Sequence, residues 1–259
     1  MRNRLLQLLA QNRKPFEPVH SKIVQEDGQA ALYLYDPIVG DRPTAEWWGG
    51  VCPQDLVPAL RALKADEITV YTNCPGGDVF AAEAISQAFR EHPAQITMQI
   101  EGYAASAATS LACACDRVVA TAGSKYMIHN TWTLAIGNAD DLEKTVALLR
   151  NCDNSMYDRY VGRTGQPRDQ IVEWCNQETW FNADAALAAG FIDEVLPAVK
   201  ASAKVGRDWV LSAYHNAPAP AAGANPAPQE PAEPTEQTIY LPEEHRARQL
   251  QRLALHSRL

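Results

Sequence analysis

The order in which two periodicities alternate along the middle of this chain restricts its fold more than any other feature. Ile68-Thr-Val-Tyr-Thr72 is β-branched and reads as a strand, and Pro75-Gly-Gly77 breaks it. Residues 81–91 then set Ala84, Ile85, Ala88 and Phe89 on one helical face, and Ile96-Thr-Met-Gln-Ile100 alternates as a second strand. A strand at 31–35 and a helix at 55–64 precede this unit. A strand at 117–120, helices at 138–160, 167–176 and 184–189, and a closing strand at 191–196 follow it. Strands separated by helices need crossover connections, so the pattern predicts an α/β fold on a largely parallel sheet.

Composition divides the 259 residues further. Residues 1–27 are polar and basic without clear periodicity, and residues 28–199 carry nearly all the strand and helix patterns. Residues 200–238 read as a linker, largely disordered: the Ala/Pro run from Ala217 to Glu236 holds no aromatic and no large aliphatic residue with which to build a core. Residues 239–259 form a short amphipathic, basic tail, with Leu250, Leu253 and Ala254 on one face of a C-terminal helix.

Several classes are excluded. No stretch reaches the roughly 18 apolar residues of a membrane span, and a net charge of −8 argues against a general nucleic-acid surface. The apolar run after Met1 is short and broken by Gln7, so no export signal is read and a reducing, cytoplasmic setting is expected. The closest of the six cysteines, Cys113 and Cys115, lack zinc spacing, so buried free thiols and no metal are expected.

Three segments carry chemistry. Asn73-Cys-Pro-Gly-Gly-Asp78 follows a strand, and its glycines let backbone N–H groups approach a ligand; alone it is also an ordinary tight turn. In Glu101-Gly-Tyr-Ala-Ala-Ser-Ala-Ala-Thr109 a strand is expected to end at Gly102, with a small-residue helix starting near Ser106. Serine there either caps the helix or serves as a nucleophile beside unsatisfied N–H groups. In Tyr126-Met-Ile-His-Asn130, His129 is either structural or the general base for such a nucleophile.

Taken together, Asn73-Cys-Pro-Gly-Gly77, Gly102-Tyr-Ala-Ala-Ser-Ala107 and Met127-Ile-His129 resemble, in order and spacing, the motifs of the Clp protease proteolytic subunit. His129-Asn-Thr-Trp-Thr133 and Glu178-Thr-Trp-Phe181 resemble the phage branch of that family, the head maturation (prohead) proteases. The resemblance implies a ClpP/crotonase-like superhelix of ββα units and serine endopeptidase activity without cofactor or metal. It also implies a ring-like homo-oligomer, with phage scaffold and capsid proteins as substrates inside assembling proheads. Carried over, Ser106 is the nucleophile and His129 the base, and the N–H groups of Gly77 or Asp78 with Ala107 form the oxyanion hole. Where the family has a third, acidic triad member, this chain has Thr179, with Glu178 one residue earlier as the alternative. Asp193 reads as structural.

Overall fold

The computed structural model describes residues 4–197 and 209–218. At its centre lies a mixed sheet of β1 (Ile23–Glu26), β2 (Gln29–Leu34), β3 (Glu67–Cys74), β4 (Gln95–Ala105), β5 (Arg117–Thr121) and β8 (Glu194–Leu196), in that spatial order. Apart from the β1–β2 hairpin these neighbours run parallel. Two further strands, β6 (Lys125–Ile128) and β7 (Thr179–Asn182), leave the path: β6 runs parallel to the end of β4 and pairs antiparallel with β7.

Alternation explains β3, where Ile68, Val70 and Thr72 are buried while Thr69 and Tyr71 are half-buried on the opposite face. The buried face meets α3 (Pro53–Ala62), α4 (Val79–Glu91) and α5 (Ala107–Ala112), which bring Leu56, Leu60, Ala82, Ile85 and Leu111 into one core with Val70, Met98 and Ile100. The Asp78 side chain caps α4 by accepting from Ala81 N–H at 2.7 Å. The long α6 (Ala139–Thr164) opens on a capping box between Asn138 and Asp141 and closes on Gly165 at φ 69°. After α7 (Arg168–Asn176) and α8 (Ala183–Ala189), Asp193 accepts from Val118 N–H and from Arg163, the structural role expected of it.

Two expectations about the fold need correction. The strand through Ile96 does not stop at Gly102 but continues to Ala105. Gly102 is there for room, because a Cβ at that position would lie 2.4 Å from the Asn73 side-chain oxygen. That oxygen instead accepts from Tyr103 N–H.

Described residues outside 28–199, namely 4–27 and 209–218, also belong to the compact unit. Its N-terminal part holds α1 (Arg4–Gln11) and β1, and Leu8 and Leu9 are buried. A second helix before the core, α2 (Arg42–Trp48), is capped by Asp41. Lys14 and Lys22 both pair with the buried Asp36 carboxylate, fixing the chain after β2. Residues 209–218, expected within the linker, lie folded on the unit, and Trp209, Leu211, Ala213 and Tyr214 are buried with Leu8 and Met127. The remainder of the expected linker and the basic tail fall outside the described residues. Among the described residues no helix is long and apolar enough to cross a membrane.

Candidate active site

The ends of β3, β4 and β6 converge on one point. Pairing of Ala105 with Met127 sets Ser106 beside the chain that leads into His129, and Ser106 N–H donates to the Met127 carbonyl at 2.9 Å. Ser106 occupies φ 54°, ψ −124°, a left-handed conformation that L-residues rarely adopt. Strain of this kind, worth about 1–3 kcal/mol, persists where surrounding structure enforces it, and it characterises functional sites. The turn holds the hydroxyl out between strand and helix, and His129 Nε2 lies 2.7 Å from Ser106 Oγ.

The glycine turn packs directly on this serine. A Cβ on Gly76 would lie 2.8 Å from Ser106 Cβ and 2.6 Å from the Ala105 carbonyl. Gly77, at φ 145°, bridges to Ile38, whose carbonyl would stand 1.9 Å from an added Cβ. Asp78 N–H donates to that carbonyl at 2.9 Å, so it is not available as an oxyanion donor, which corrects one expected alternative. The amides of Gly77 and Ala107 donate to no backbone carbonyl among the described residues. Cys74, standing in this turn, donates its thiol to the Asp36 carbonyl, and burial pushes that thiol up to about 12. It is a packing group and not a second nucleophile.

Of the two residues expected as third member, Glu178 is the one that acts on His129 in this geometry, through its charge and without a hydrogen bond. The antiparallel register pairs Ile128 with Thr179. The Thr179 hydroxyl donates to the Trp174 carbonyl at 2.8 Å. Glu178 is buried at φ 49°, and its charge acts on His129. Burial is the larger influence and pulls the imidazole down to about 4; the Glu178 carboxylate opposes it, and Arg4 adds to it. His129 is thus a neutral imidazole at pH 7, able to take the Ser106 proton.

Beside the pair opens a cleft of ≈ 300 Å³, lined on one side by Val79 and Phe80 and on the other by Leu148, Leu149 and Met156 of α6. These walls suit an apolar side chain next to the reacting bond. The six cysteines are free, and among the described residues no group of three or more His, Cys, Asp or Glu could hold a metal ion.

Sequence reasoning missed the residues that close the far side. The Tyr214 ring stands edge-on to His129, with centroids 5.4 Å apart, and Asn216 N–H donates to Glu178 Oε1 at 2.7 Å. The signal was the apolar, aromatic run Trp209-Val-Leu-Ser-Ala-Tyr214 just ahead of the Ala/Pro stretch.

Comparison with known proteins gives the family and the fold. The sequence profile of the Clp protease family matches residues 51–199. The ATP-dependent Clp protease proteolytic subunit 2 of Thermobifida fusca is 35% identical over 147 residues, covering 54% of this chain and 72% of that protein. The corresponding subunit 3 of Rhodococcus jostii is 30% identical over 144 residues, covering 55% and 71%. A solved structure of a ClpP1 mutant from Listeria monocytogenes superposes with a TM-score of 0.54 at 19% identity, over 64% of this chain and 90% of that one. That likeness shows a shared fold.

Proposed function

This chain belongs to the Clp protease family, and on that premise we propose that it is a serine endopeptidase built on Ser106, His129 and Glu178. The observation that carries the reading is the 2.7 Å contact of His129 Nε2 with Ser106 Oγ at a strained elbow. In the proposed reaction Ser106 Oγ attacks the peptide carbonyl carbon while Nε2 takes its proton. The oxyanion is met by the N–H groups of Gly77 and Ala107. His129 then gives the proton to the leaving amine, the C–N bond breaks, and an acyl-serine remains. Water repeats the sequence, with His129 again as base, and releases the acid. Glu178 stabilises the imidazolium formed in each half. The apolar cleft favours peptides with an apolar residue on the acyl side of the bond.

The test is labelling by a fluorophosphonate, with the adduct located by mass spectrometry. The reading requires the adduct on Ser106 and none in Ser106→Ala.

The finer assignment is processing of scaffold and capsid proteins during phage head maturation, within proheads in a host cytoplasm. It is supported by the resemblance of His129-Asn-Thr-Trp-Thr133 and Glu178-Thr-Trp-Phe181 to that branch, and by the Ala/Pro-rich extension. A second reading, a housekeeping proteolytic subunit, is favoured by the 35% identity to the Thermobifida protein. Cleavage of purified scaffold protein without an unfoldase supports the first; dependence on an unfoldase supports the second.

Self-association is part of the proposal. Leu134, Ile136, Leu142 and Val146, on and just before α6, are exposed, Ile136 at 92%. Apolar side chains concentrated this way mark an interaction surface, and a second copy of the chain is the proposed occupant.

A further inference from the structure

We propose that residues 209–218 form a latch that holds this active site in a latent state by engaging the Glu178 carboxylate and covering His129. The inference rests on the Ser106–His129 reading above and adds regulation to it.

The segment is anchored at its start. Asn12, just after α1, grips Val210 from both sides, donating to its carbonyl at 2.9 Å and accepting from its N–H at 2.8 Å. Gln7 donates to Ser212 at 2.9 Å, and Trp209 Nε1 donates to the Asn73 carbonyl at 2.7 Å. Leu211 and Ala213 are buried beside Leu8. Three polar anchors and an apolar seat fix where the following residues fall.

Those residues fall on the catalytic groups. The Tyr214 hydroxyl donates to the Pro75 carbonyl, in the turn that carries Gly76 and Gly77. Two residues on, Asn216 N–H takes one oxygen of the Glu178 carboxylate. Asn216 also donates its side-chain amide to the Gln177 carbonyl at 2.6 Å. The carboxylate makes this hydrogen bond and makes none to His129 in the structure. The Tyr214 ring lies against the imidazole, which is left only 7% exposed. A leaving amine must reach that imidazole to collect its proton. Activation is displacement of the segment from this face.

The opposite reading, in which 209–218 completes the site by orienting Glu178, makes the opposite prediction. In the full-length chain, Tyr214→Ala removes the ring against the imidazole and the hydroxyl that anchors it to the Pro75 carbonyl. The rate of Ser106 labelling by a fluorophosphonate should rise about tenfold or more as the imidazole face is reopened. Tyr214→Phe, which keeps the ring, should give a smaller rise. Asn216→Pro, which lacks the N–H that holds Glu178, is the second variant should Tyr214→Ala not fold, and it too should label faster. Folding is checked by circular dichroism and thermal unfolding. Unchanged or slower labelling in a folded variant overturns the latch and leaves the serine protease reading standing. No labelling of Ser106 in any chain removes that reading and the latch with it.

Discussion

Ile128 pairs with Thr179 across the β6–β7 ladder, and that pairing decides which neighbouring residue comes alongside His129. In an antiparallel ladder one step forward on one strand is one step back on the other. Continued by one residue, the register faces His129 with Glu178. The Thr179 hydroxyl is engaged elsewhere, on the Trp174 carbonyl.

Substitution at these two positions should therefore separate cleanly. Glu178→Gln keeps the shape and removes the charge that stabilises an imidazolium, so kcat on a short peptide should fall by about a hundredfold or more. Thr179→Val should leave kcat within about twofold and lower stability by ~1 kcal/mol, the value of one hydroxyl–carbonyl bond. Steady-state kinetics and denaturant unfolding measure both. A catalytic loss confined to Thr179→Val would return the third position to the threonine.

The acid limb of activity should lie low. Burial holds His129 down at about 4, so it stays neutral and able to accept a proton well below the ordinary imidazole value of 6.5. The rate of Ser106 labelling against pH should have its acid midpoint below 6; a midpoint at 6.5 or above contradicts the buried-base geometry.

The same group makes stability depend on pH. Between 6.5 and about 4 the unfolded chain's imidazole holds more proton than the folded one. The contribution is whole above 6.5 and is lost as pH falls through the window toward 4. His129→Ala should shrink the fall in melting temperature between pH 7 and pH 5.

Gly77 should tolerate no side chain. Its φ of 145° and the Ile38 carbonyl 1.9 Å from an added Cβ mean that alanine must break the bridge tying the glycine turn to the chain after β2. Gly77→Ala should cost about 3 kcal/mol or more and abolish activity. Gly123→Ala, with nothing within 4 Å of an added Cβ, should change stability by less than about 0.5 kcal/mol. Equal unfolding midpoints for the two variants would contradict the turn geometry.

What was legible in the sequence was what local pattern encodes. The alternation of β3, the glycine break after it and the face of α4 are short-range signals, and the structure has each of them. Ser106 and His129 were legible as a pair through their motifs, and they meet at hydrogen-bonding distance. The register of Glu178 was not, because one residue of offset is decided by strand pairing with β6 and not by the segment itself. Gly102 read as a strand end because glycine usually punctuates; here it admits the Asn73 side chain. Helix α1 and residues 209–218 were missed for another reason. Asn12 and Val210 hold one another across 198 positions, and neither segment carries enough pattern alone to announce the partner.

The most direct measurement is kcat/KM for Ser106→Ala on a short peptide with an apolar residue before the scissile bond, made both in the wild-type chain and in one carrying Tyr214→Ala. With the nucleophile gone, only substrate binding and the oxyanion donors remain, so kcat/KM should fall by at least about a thousandfold in either background. A Ser106→Ala protein that cleaves within tenfold of its parent would contradict the assignment of this site.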